Sequence, residues 1–134
     1  MINKKFNPED VEMFAKNLFS GICDVTTTVN FPKSLKDNQN SVLVVSLASP
    51  INDLEAFGRC MVSVELFVKE KANGEKDSAK MRALQSSILD KINAYSSDSK
   101  DFIITTDTNL SFSDYDEQKR FHVTLTYITI IIKS

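Results

Sequence analysis

Polar and apolar positions divide the chain into two helical and five extended stretches. The first helix has a full set of start signals. Asn7 can cap it, Pro8 occupies the first helical position, and Glu9 and Asp10 place negative charge near the positive end of the helix dipole. Phe6 and Val11 have the spacing of a hydrophobic staple. Val11, Phe14, Leu18 and Ile22 mark one face, and Gly21 signals the end, so the expected helix covers 8–21. Val25, Thr27, Val29 and Phe31 then alternate with polar neighbours, as in a half-buried strand over 24–31. Residues 32–40 are a polar loop. Ser41–Ala48 is apolar on both alternating faces, which predicts a strand covered twice.

Ser49-Pro50-Ile51-Asn52-Asp53 breaks that strand, and another follows over about 58–70. Cys60, Val62, Val64, Leu66 and Val68 line one of its faces; Met61, Ser63, Glu65, Phe67 and Lys69 line the other. A charged turn over 69–76 leads to a second helix, capped by Asp77. Its stripe is Met81, Leu84, Ile88, Ile92 and Tyr95, and Ser96-Ser97-Asp98-Ser99 stops it. The tail reads as a long hairpin: 102–113, a turn at Asp114-Tyr115-Asp116-Glu117, and 118–133. On the last strand Phe121, Val123, Leu125, Tyr127 and Ile131 are expected to point inward. The order α-β-β-β-α-β-β, with hairpin-length connections, predicts one α+β domain over 1–134. It has two layers, a mainly antiparallel sheet with both helices on one face.

Charge and composition narrow the function classes. The chain has 134 residues, a net charge of −2 and a pI near 5.4, with no basic arm to track a phosphate backbone, so no sequence-specific nucleic-acid partner is expected. The N-terminal lysines are followed by no apolar run, and the greasiest stretch, Tyr127–Ile132, is far shorter than the ~20 residues of a membrane helix. These features predict a soluble, intracellular protein. Glycines at 21, 58 and 74 form no phosphate cradle, and Cys23 and Cys60 lie outside any close-pair metal or redox motif. The single His122 reads as a solvated strand residue, and Asp114, Asp116 and Glu117 as a charged hairpin tip. No catalytic, cofactor or metal residues are expected. The weakest of three rival readings is an enzyme using carboxylate chemistry around Asp114, Asp116, Glu117 and His122.

One pattern stands out. The second face of the last strand shows His122, Thr124 and Thr126, then switches to Ile128, Ile130 and Ile132. With the helices on the opposite face, those isoleucines would expose on the order of 300 Å² of apolar surface, the scale of an interaction site. Met61 and Phe67 are expected on the matching face. The expectation is a self-association surface of Met61, Phe67, Ile128, Ile130 and Ile132.

The sequence of elements resembles the tail terminator and tail-completion proteins that join head to tail in long-tailed bacteriophages. An amphipathic helix precedes strands and a long loop. The strand Arg59–Val68 turns through charged residues into the helix Met81–Tyr95, and a long hairpin with Tyr115-Asp116-Glu117 closes the chain. The similarity covers roughly 8–133 as a pattern of elements. It implies a homo-oligomeric ring, commonly sixfold, with tail-tube and connector proteins as partners. It further implies assembly in the cytoplasm, residence in the virion tail and no catalysis. A small peptide- or ligand-binding module is the runner-up.

Overall fold

The computed structural model describes residues 7–54, 56–95 and 101–133, with the backbone alone at 106–112. Phe6 of the expected staple and the 96–99 helix stop lie outside the described residues. Helix α1 spans Pro8–Leu18, and the Asn7 side chain accepts the Glu9 N–H at 2.9 Å. It is three residues shorter than expected. Phe19 caps its end, and the chain turns away through Gly21, whose φ of +88° favours glycine. Helix α2 spans Ser78–Ala94; the Asp77 carboxylate accepts the Lys80 N–H at 3.2 Å.

Among the described residues six strands form one sheet: β1 (Val25–Thr28), β2 (Ser41–Leu47), β3 (Asn52–Asp53), β4 (Phe57–Lys69), β5 (Phe102–Asp116) and β6 (Phe121–Lys133). Five of them lie in the order β1-β2-β4-β6-β5, while β3 pairs with β4 beyond the end of β2. The result is a mostly antiparallel α+β fold with two helices, as the alternation and connections predict. Four details differ, the first being that β1 ends at Thr28 instead of 31, where Val29 takes a φ of +71° and turns the chain out of the strand. The 49–53 break contains the two-residue β3, whose Asn52 pairs with Arg59 and Asp53 with Gly58. Strand β1 runs parallel to β2, which the long 29–40 crossover permits. The final hairpin turns at 117–120 instead of 114–117, because β5 stays paired as far as Asp116 opposite Phe121.

The main core lies between the sheet and the helices. Val11, Ala15, Met81, Ile88 and Ile92 pack on Leu43, Val45, Val62, Val64 and Leu66. A smaller core sits on the other face, where the 29–40 crossover lays Phe31 and Leu35 over Val42, Val44, Phe67, Phe121 and Val123. Phe31 meets Phe67 edge-on at 4.9 Å and Phe121 at 5.5 Å. The crossover is tied down by Asp24. Its carboxylate accepts the Asn40 and Ser41 N–H groups at 2.8 and 3.1 Å, and these bonds hold its pKa below the ordinary range.

Candidate interaction surface

The surface expected from the isoleucines is not there. Ile128, Ile130 and Ile132 are at most 1% exposed and belong to the main core. The β4–β6 register explains why: Val62 pairs with Ile128 and Cys60 with Ile130, so all of them point toward the helices. Met61 and Phe67 point the opposite way, with Val123, Leu125, Tyr127 and Ile131. The set expected to face inward therefore lies on the helix-free face, and Phe67 is buried there under Phe31. The polar half of the helix face misleads because α2 satisfies it. Gln85 Nε2 donates to Thr126 Oγ1 at 3.2 Å, and Thr124 Oγ1 donates to Met81 Sδ at 3.1 Å. Thr126 is polar but only 1% exposed.

The helix-free face is the candidate interaction surface. Its end near Phe121 is closed by the crossover, while Met61, Ser63, Glu65, Leu125, Tyr127 and Ile131 form a half-buried middle. Where the cover ends, a groove of about 390 Å³ opens over Phe67, Val123 and Leu125, with Glu65 on its floor and Asp114, Asp116 and Glu117 around it. Both cross-strand neighbours of Glu65, Val44 on β2 and Leu125 on β6, are apolar. Among the described residues no hydrogen bond or ion pair reaches its carboxylate. Burial pushes its pKa up, and the attraction of Lys119 offsets only part of that rise. Lys119 itself is held elsewhere: its Nζ pairs with Asp116 at 2.9 Å and lies 5.2 Å above the Phe31 ring. The carboxylates do not converge. Among the described residues no three His, Cys, Asp or Glu side chains are grouped to hold a metal ion.

The acidic hairpin tip divides between the two faces. Asp114 and Asp116 line the groove, whereas Tyr115 packs on His122 at 4.5 Å between ring centres. Tyr115 Oη donates to Glu70 Oε2 at 2.8 Å, and Arg120 Nε donates to Glu70 Oε1 at 2.5 Å. These bonds lower the Glu70 pKa and raise that of Tyr115, and they lock the tip to the end of β4. Arg120 accepts a φ of +60° to close the turn, with its N–H donating to the Asp116 carbonyl at 2.8 Å. His122 packs against the lock and faces away from Asp114 and Asp116; it is half-buried, not solvated as its place on the strand suggested, and its Nε2 is buried without a hydrogen-bond partner among the described residues. Neither thiol partners it. Cys60 is buried and Cys23 half-buried, and burial pushes both up to about 11.

A scan against protein-family models and a search of the curated proteins match nothing to this chain. Among the described residues no helix is long and apolar enough to cross a membrane.

Proposed function

We propose that the chain is a structural subunit of the phage tail terminator or tail-completion type, which assembles into a ring at the end of a tail tube and meets the connector above it. The observation that carries this reading is the long outer strand of the sheet. The 15-residue β5 lies at the end of the strand order; near its start Tyr95 Oη donates to the Phe102 carbonyl at 2.8 Å and Phe14 stacks on the Phe102 ring, and its register with β6 shifts between Thr105 and Leu110. A long outer strand is a template for pairing with another chain. Contacts between unlike patches on successive subunits propagate until the rotation closes, which is how a ring forms. The subunit would assemble in the cytoplasm and end in the virion tail.

The groove over Glu65 favours a second reading, a small binding module that accepts a peptide on its open face. Light-scattering mass, followed by incubation with purified tail tubes, tests the first reading. The expected result is a multiple of the 15.1 kDa subunit or addition to tube ends. A monomer that ignores tube ends and still fills its groove with peptide would replace the ring with the module.

A further inference from the structure

We propose that the groove over Glu65 is the docking site for a cationic side chain of a partner protein: a lysine or arginine flanked by apolar residues in an extended segment. The inference stands apart from the ring reading, because a subunit that never closes a ring still carries the groove. It begins from a misplaced charge. Glu65 lies on β4, an interior strand of the sheet, so it does not serve the edge protection that charges commonly provide. Its neighbours across both ladders are Val44 and Leu125, and no group within the described residues neutralises it by contact. A half-buried carboxylate that nothing among the described residues contacts, and that Lys119 offsets only in part, costs free energy in the isolated subunit, and a cation arriving from outside lowers that cost.

The surroundings specify what kind of cation. The floor of Phe67, Val123 and Leu125 is apolar, which a hydrated metal ion or small ammonium cannot use. The alkyl stem of lysine or arginine can, because these side chains bury the stem and present the charge at its tip. About 390 Å³ is near the lower end of ligand-sized pockets, enough for such a side chain and an apolar neighbour. Asp114 and Glu117 on the rim carry the same sign as Glu65, and Lys119 is already occupied by Asp116. The field over the groove therefore attracts cationic segments and repels acidic ones.

Two fluorescein-labelled nonapeptides, one alternating lysine with valine and the other glutamate with valine, test this by anisotropy at low ionic strength. The lysine peptide is expected to bind saturably and the glutamate peptide not at all. Glu65→Gln should weaken binding at least about tenfold, as expected when a desolvated charge partner is lost. Asp90→Asn, an exposed carboxylate on α2 away from the groove, should change it by no more than about twofold. Amide NMR shifts induced by the lysine peptide should centre on Val44, Glu65 and Leu125, which locates the site in the unmodified protein. Equal losses in the two variants, or shifts centred elsewhere, would reduce the effect to general charge attraction and overturn the proposal. So would a wild-type protein that ignores the peptide while Glu65→Gln self-associates. In that case the carboxylate guards the open face against other copies of the chain.

Discussion

Ile130 and Ile131 are adjacent on β6 and chemically identical, yet truncating them should give very different results. Ile130 is fully buried opposite Cys60, with Ile128 and Ile132 on either side and both helices contributing to the same core. Ile130→Ala removes the equivalent of about three methylene-sized groups, worth roughly 2.4 kcal/mol at about 0.8 kcal/mol each. A cavity term is added, because a site between sheet and helices collapses only partly, and the total comes to about 3–4 kcal/mol. Ile131 is half-buried on the helix-free face opposite Arg59. Ile131→Ala opens no closed cavity and loses only part of the transfer term, about 1 kcal/mol.

Urea unfolding followed by circular dichroism separates the two. With a slope of about 2 kcal/mol per molar, Ile130→Ala should lower the midpoint by about 1.5–2 M and Ile131→Ala by about 0.5 M. Ile130→Lys should not fold, since an unpaired ammonium in the main core costs several kcal/mol against a total stability of about 5–15 kcal/mol. If Ile131→Ala costs as much as Ile130→Ala, or if Ile130→Lys folds with a wild-type spectrum, the helices do not cover the isoleucine face. The assignment of the open face would fail with it.

Asp24 should make the crossover sensitive to acid. Its folded pKa is lowered from 3.8, chiefly by the Asn40 N–H bond, so its stabilisation is complete above the unfolded value and is lost as the pH falls through the folded one. Asp24→Ala should cost about 1–2 kcal/mol near neutral pH and converge with wild type in strong acid, and a constant difference at all pH values would refute this. The thiols should be inert in the folded protein. Raised from 9.0 to about 11, Cys23 and Cys60 should alkylate with iodoacetamide about a hundredfold more slowly at pH 8 than in urea, and a fast native thiol would show activation that burial does not explain.

The elements were legible because their signals are local. Asn7 and Asp77 cap the helices as their spacing predicts, and Met81, Ile88 and Ile92 are buried as one stripe. The faces of β6 were not legible, because period-two alternation separates two sets without saying which one meets the helices. Two longer-range contacts reversed the appearance. Phe31 and Leu35, far away in a loop, bury Phe121 and Val123 on the open face, so the odd-numbered set resembles core. Gln85 and Met81 reach down from α2 to Thr126 and Thr124, so the even-numbered set resembles solvent-facing surface. The parallel β1 was hidden for a similar reason: Val29 and Phe31 continue the alternation into what is the crossover, so the connection looked like the nine-residue loop 32–40 instead of one spanning 29–40.

Glu65 shows why the candidate site was harder to find than the fold. Along β4 it appears in Met61-Val62-Ser63-Val64-Glu65-Leu66-Phe67, a face mixed enough to pass for an ordinary solvated one. Only the ladder shows Val44 on one side of it and Leu125 on the other, and only the hairpin tip shows Lys119 turned toward Asp116. The information is relational. A charge becomes a candidate contact point when the cation it needs is missing from every neighbouring strand, and that condition depends on register. The same register buries the three isoleucines. One pairing of β4 with β6 thus removes the surface expected from the pattern and exposes the groove that replaces it.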